Sequence, residues 1–280
     1  MSLGGKIMAA LHVVATPIGN LDDLSTRAVD TLKQVDLITA EDTRRTGILL
    51  KHLGIDCPML SLHDHNEKQQ VEHLVGRIKA GEAIALVSDA GTPLISDPGF
   101  RLVEQCHLES IPVVPVAGPS AVTAALSAAG IATDRFSFEG FVPARQQARS
   151  EFYRQLANEP RTLVFFEVPH RIEASLQSLE AAVGSERRLA ICRELTKTFE
   201  QLVQGSVAEL RGALSHGVIP QKGEFVLVLA RGEPGMDREA DRLLMALLPE
   251  LSPSKAAAVA ARLTSETKSQ LYQRALELKS

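Results

Sequence analysis

The sequence of 280 residues contains no tryptophan and only two tyrosines, and aromatics make up 4% of it. Few rings are therefore on offer for stacking against nucleic-acid bases. Cysteine is scarce as well: Cys57, Cys106 and Cys192 are odd in number, isolated and without CxxC spacing. That pattern argues against a disulfide framework or a cysteine-rich zinc site and fits a reducing cytoplasm. Neither sign of charge dominates, since 30 Lys+Arg stand against 34 Asp+Glu for a net charge of -4. No global basic field attracts nucleic acid, so any RNA contact must be local, and DNA is not an expected partner. The apolar stretch Ile7–Ile18 is too short to span a bilayer and runs into Pro17 and Gly19, so it reads as a buried strand rather than a membrane segment. Neither a GxGxxG fingerprint nor a GK[ST] phosphate loop occurs, which weakens dehydrogenase and P-loop readings.

With 45% hydrophobic residues, a chain of this length has material for about two domains. Short apolar runs alternate with amphipathic stretches through the first 118 residues, the pattern of βα units around a largely parallel sheet. Strands are expected at Leu11–Thr16, Leu37–Ala40, Met59–Leu62, Ala83–Ser88 and Pro112–Val116. Ser25 should cap one helix; Val71, Leu74, Val75 and Ile78 mark another, closed by Gly81. A helix of small residues follows Gly118-Pro119-Ser120 and ends at Gly130. Beyond it, Phe136–Phe141, Leu163–Val168, Leu189–Arg193, Phe199–Gly205 and Phe225–Ala230 read as strands, with helices near 146–158, 171–183 and 207–215. The closeness of the third and fourth runs suggests an antiparallel hairpin, hence a mixed second sheet. After the Gly232–Gly235 cluster, only helices are expected. The division is 1–118, 119–235 and a helical tail at 236–280.

The chemistry should sit where runs of β-formers end in Gly/Pro/Ser/Asp loops, the carboxyl edge of an open α/β sheet. Four such loops stand out: 16–23, 41–44, 88–99 and 117–121. Singly, each is also what ordinary turns and helix caps produce. The loop at 88–99, with two Asp, two Pro and two Gly, is longer than a turn needs. His63-Asp64-His65 lacks a third ligand at a set spacing, so no metal site is expected. These residues read instead as polar groups at a strand end facing the cleft, and Asn66 serves equally as a helix N-cap.

Nine segments occur in order: Val14–Leu21, Glu41–Arg44, Leu86–Pro93, Ser96–Gly99, Pro115–Ala121, Phe138–Pro143, Pro169–Arg171, Arg193–Lys197 and Lys222–Glu224. Together they resemble the tetrapyrrole-methylase-like superfamily and, within it, the bacterial branch that methylates small-subunit ribosomal RNA. The resemblance implies two α/β domains that bind S-adenosyl-L-methionine between them, a homodimer, and methylation of the ribose 2′-hydroxyl of a cytidine in the decoding centre of 16S rRNA. Tetrapyrrole relatives carry a GxGxGD-type first loop and a shorter GGDP turn. Thr16–Asn20 and Ser88–Pro93 replace these here, which points away from a porphyrin-like substrate. By the same resemblance, the cofactor site should use Pro17, Asp89, Ala90, Gly91, Thr92, Pro93, Ile95, Ser120 and Ala121, with Phe166, Leu195, Leu229 and Ala230 contributed by the second domain.

A ribose hydroxyl is a poor nucleophile near neutral pH, and Asp42, Glu41, Asp64 and His65 are the candidates for a base, with positioning alone as the alternative. RNA should meet Arg44, Arg45, Arg145, Arg149, Arg171 and Lys197, although scattered arginines also solvate helix faces. The tail carries five Lys/Arg and two Glu from Ser252 to Ser280. Its two short helices suit either an RNA-gripping helix-turn-helix or a unit packed on the body. Two other readings stay open: a methylase of a tetrapyrrole or protein side chain, and a non-catalytic RNA-binding protein of ribosome assembly.

Overall fold

A computed structural model describes residues 7–63, 66–232, 238–264 and 266–279. The expected Asp64 and His65 lie outside the described residues.

The first half builds β1 (Leu11–Val14), α1 (Thr26–Gln34), β2 (Leu37–Ala40), α2 (Thr43–His52), β3 (Met59–Ser61), α3 (Glu67–Lys79), β4 (Ile84–Val87), α4 (Phe100–Leu108), β5 (Val113–Val116) and α5 (Ala121–Ala128). The strands form a sheet of order β3-β2-β4-β1-β5 in which every pairing is parallel. Strands β2 and β4 are buried at every residue, as a sheet covered on both faces requires. Val71, Leu74, Val75 and Ile78 of α3 join Leu102 and Cys106 of α4 against one face. Ala28 and Leu32 of α1 with Leu50 of α2 cover the other. The Ser25 hydroxyl accepts the Ala28 N–H at 3.1 Å, and Gly81 ends α3 at φ +102, as the residue types required.

Helices α2 and α4 were not foreseen. The first starts on Asp42, which reads as a loop residue. The second follows Gly99, whose φ of +121 and missing side chain give no cap of its own. Its amides are instead held from α3, as described below.

The second half builds β6 (Phe136–Phe141), α6 (Gln146–Gln155), β7 (Thr162–Glu167), α7 (Ile172–Val183), β8 (Arg188–Arg193), β9 (Gln201–Ser206), α8 (Val207–Ser215) and β10 (Phe225–Leu229). The order is β6-β7-β10-β8-β9, parallel between β6 and β7 and antiparallel elsewhere, with β8 and β9 adjacent. Alternation along the strands divides two cores. Leu163, Phe165, Leu189, Ile191, Leu227 and Leu229 face α6, α7 and α8. Val164, Phe166, Ala190, Cys192, Val226 and Val228 face α5, whose Val122, Ala125 and Ala129 pack beside Ile18 from the first half. The small residues of α5 let it lie close between the two sheets. In the tail, α9 (Arg238–Leu247), α10 (Pro253–Ala260) and α11 (Lys268–Lys279) share a core of Leu244, Ala256, Ala257, Ala260, Leu271 and Ala275. Among the described residues, no helix is long and apolar enough to cross a membrane.

Candidate active site

Because every pairing in the first sheet is parallel, the loops after β1, β2, β4 and β5 all leave its carboxyl edge, and hydrogen bonds knit them together. Thr16 and Gly91 form an isolated antiparallel bridge, N–H to carbonyl at 2.9 and 3.0 Å. The Asp42 N–H donates to Asp89 Oδ1 at 3.0 Å. The Thr92 hydroxyl donates to the Pro119 carbonyl at 3.0 Å. Gly91 sits at φ +83, where a β-carbon would come 3.2 Å from Ile18, so the bridge depends on glycine there. A β-carbon at Gly118 would come 3.0 Å from Ala15 Cβ; this glycine serves the approach of β1 to the loop after β5.

Above these loops opens a cavity of about 370 Å³, within the roughly 300–1,000 Å³ usual for small-molecule sites. Nine of the thirteen expected cofactor residues line it: Asp89, Ala90, Gly91, Thr92, Ile95, Ser120, Ala121, Phe166 and Leu195. Pro17, Pro93, Leu229 and Ala230 lie outside that lining. Leu229 belongs to the core on the sheet face turned away from α5. Pro93 is itself buried.

Of the acids, Glu41 lines the cavity but Asp42 does not. Asp42 Oδ1 accepts the Arg44 N–H at 2.9 Å, capping α2, and the carboxylate also takes Nε and Nη2 of Arg44 at 3.0 and 2.7 Å. The Arg44 guanidinium holds this carboxyl far below the usual carboxylate range. Such a group is a weak proton acceptor at neutral pH. Asp89 is tied to Asp42 and, at 3.1 Å, to Arg45.

The acid that stands apart is Asp97, also in the cavity wall. Burial pushes its carboxyl up to about 7, and the neighbouring charges of Glu41 and Asp89 add to the rise against a hydrogen bond with Ser88. Its loop is bent hard, with Leu94 at φ 74 and Ser96 at φ 67, conformations that side chains rarely adopt. The sequence marks Ser96–Gly99 as a motif, but nothing in it distinguishes Asp97 from Asp42 or Asp89. The shift arises chiefly from burial, with Glu41 from another loop and Asp89 from the same loop adding to it.

The expected basic surface divides. Arg44 and Arg45 keep 87% and 68% of their side chains exposed, and Arg145 is exposed at the start of α6. Arg149, expected at that surface, is instead 5% exposed. Its guanidinium donates to the Ser178 hydroxyl at 3.2 Å and the Ala144 carbonyl at 3.1 Å, stapling α6 to α7. Arg171 pairs with the buried Glu167 at 3.1 Å. Lys197 reaches Glu194 at 2.8 Å and Glu224 at 3.0 Å while its stem covers Gly19. His63 donates its N–H to Asn66 Oδ1 at 2.9 Å, and Asn66 gives α3 no side-chain cap.

Residues 10–211 match the family described as Tetrapyrrole (Corrin/Porphyrin) Methylases, and residues 234–279 match the RsmI C-terminal HTH domain. A ribosomal RNA small subunit methyltransferase I of Pseudomonas aeruginosa is 48% identical over 272 residues, covering 95% of this chain and 96% of that protein. Its namesake from Haemophilus influenzae is 48% identical over 269 residues, covering 94% and 95%. The fold is shared with uroporphyrin-III-C-methyltransferase from Thermus thermophilus, with TM-score 0.56 and 17% identity over 79% of this chain and 94% of that one. On this near full-length likeness, the chain belongs to the ribosomal RNA small subunit methyltransferase I family, S-adenosylmethionine-dependent methyltransferases on the tetrapyrrole-methylase fold.

Proposed function

We propose that the cavity binds S-adenosylmethionine and that the protein methylates the ribose 2′-hydroxyl of a cytidine in the decoding centre of 16S rRNA. The observation that carries the ribose assignment is Asp97, an acid in the cavity wall poised at about 7. A positioned acceptor of this kind speeds the loss of a hydroxyl proton near neutral pH by roughly 10²–10⁴-fold.

The lining suits the cofactor. Ser120 and Ala121 present the start of α5, where backbone amides favour a carboxylate such as that of the methionine moiety. Ile18, Phe166 and Leu195 offer an apolar slot for a flat base, and Glu41, Asp89 and Asp97 form an acidic wall compatible with a sulfonium. When bound, the cofactor supplies an electrophilic methyl group. The chain's own task is to hold hydroxyl, methyl carbon and sulfur in line, which accounts for much of the rate. With the cofactor bound, Asp97 would take the proton that the 2′-hydroxyl gives up when it accepts the methyl group. Asp42 maintains the start of α2 rather than accepting a proton. Arg44, Arg45 and Arg145 are the exposed cations placed to meet the phosphate backbone, assisted by Lys255, Arg262 and Lys268 of the tail.

This reading takes the working form to be a cytoplasmic homodimer and divides the chain near residues 118 and 235. The separate core of the three tail helices supports the second boundary. Transfer of labelled methyl from S-adenosylmethionine to small subunits, followed by nuclease digestion, tests the function. Label in 2′-O-methylcytidine is expected. Label in a base, or only in a corrinoid or protein, would overturn the reading.

A further inference from the structure

Strand β6 contains a bulge. Phe138 pairs with Val164 and Phe141 with Phe166, so three steps along β6 match two along β7. Without the extra residue, Phe138 and Phe141 would point to opposite faces; with it, both fall on the side of Val164 and Phe166. Gly140, at φ +72, supplies the backbone that the bulge needs. The three rings meet edge to face, with centroids 4.8 Å apart for Phe138 and Phe166 and 5.3 Å for Phe141 and Phe166. Phe138 and Phe166 are partly buried against the core. Phe141 lines the cavity yet stays 51% exposed. A large apolar ring half open to solvent on the cavity rim, set against Phe166, gains from being covered when the cavity is filled.

We propose that Phe141 is the platform on which the base of the target nucleoside stacks while its ribose is offered to Asp97. The inference rests on the reading of the cavity given above. Position favours the substrate base over the cofactor adenine. The bulge lies against the Asp97 loop, since a β-carbon on Gly140 would come 3.4 Å from Ser96 Oγ. Ring and acid thus stand on neighbouring pieces of one rim: Phe141 is exposed, whereas Ile18 and Leu195 of the apolar slot are buried and Phe166, its third member, meets Phe141 edge to face. Sequence-specific RNA recognition commonly unstacks a base onto an aromatic side chain, and of the three phenylalanines that line the cavity, Phe141 is the exposed one.

The test combines kinetics with a fluorescent reporter. Phe141→Ala should raise KM for unmethylated small subunits roughly 5- to 150-fold, with a smaller change in kcat and calorimetric affinity for S-adenosylmethionine within about twofold of wild type, the range of ordinary context effects. Phe141→Trp should recover KM, whereas Phe141→Leu, equally apolar but without a π face, should not. Since the chain has no tryptophan of its own, Phe141→Trp is also the lone tryptophan emitter, and small subunits should quench it well beyond any change that S-adenosylmethionine alone produces. An unchanged KM in Phe141→Ala, full recovery by Phe141→Leu, or quenching by the cofactor alone as large as that by small subunits overturns the proposal. A full-rate Asp97→Asn would count against the site reading itself, so the two failures remain distinguishable.

Discussion

Glu67, the first residue of α3, accepts the N–H of Gly99 through Oε1 at 3.1 Å and also takes the N–H of Arg101 at 3.0 Å. A buried carboxylate thus caps α4 from another helix and fixes the end of the loop that carries Asp97. Gly99 has no room for a side chain of its own, because a β-carbon would come 2.7 Å from Leu86. Glu67→Ala leaves two amides without this acceptor and should cost about 1–3 kcal/mol, read by urea denaturation. Glu67→Gln, which keeps the amide oxygen, should cost less.

Gly19 and Lys197 should behave as a coupled pair. A β-carbon on Gly19 would overlap Cγ of Lys197 and lie 2.9 Å from its Cε, so Gly19→Ala must displace a side chain held by Glu194 and Glu224. The expected loss is about 1–3 kcal/mol. In a Lys197→Ala background the same change should cost clearly less, giving a coupling of about 0.5–3 kcal/mol in a double-mutant cycle. Additive costs would mean that the two loops do not bear on each other.

Asp42 is expected to act on α2 and not on the proton. Thermal unfolding should rank Asp42 above Asp42→Asn and that above Asp42→Ala, since asparagine preserves a capping oxygen. The pH dependence of methyl transfer should keep its midpoint in Asp42→Asn.

Asp97 should leave a mark on stability. Its carboxyl titrates at about 7 in the folded chain against an ordinary 3.8. Between those values the folded state holds a proton that the unfolded state has released. Stability from this group therefore falls as pH rises through the window. Asp97→Asn should remove that decline, so the variant gains on wild type from pH 4 upward and levels off above about 7, measured by urea midpoints at matched ionic strength.

The strands, the four convergent loops and the mixed second sheet were legible because burial imposes its period directly on residue type. Asp97 was legible only as part of a motif, since its proton affinity depends first on burial, then on Glu41 from another loop and on Asp89 from the far end of its own. Arg149 looked like a surface cation because nothing in its neighbourhood announces Ser178, 29 residues on. Helix α4 was hidden for a similar reason: its cap comes from Glu67. The turn of Phe141 into the cleft did leave a local sign, a glycine inside a strand of phenylalanines, which is how a bulge presents itself.

The most direct test of the account is the pH profile of single-turnover methyl transfer to small subunits by wild type and Asp97→Asn, both saturated with S-adenosylmethionine. Wild type should rise with pH to a plateau, with a midpoint near the value of about 7 assigned to Asp97. Asp97→Asn should lose that limb and fall by about 10²–10⁴-fold at the plateau. A variant that keeps both the limb and the rate would contradict the assignment of Asp97 as the base.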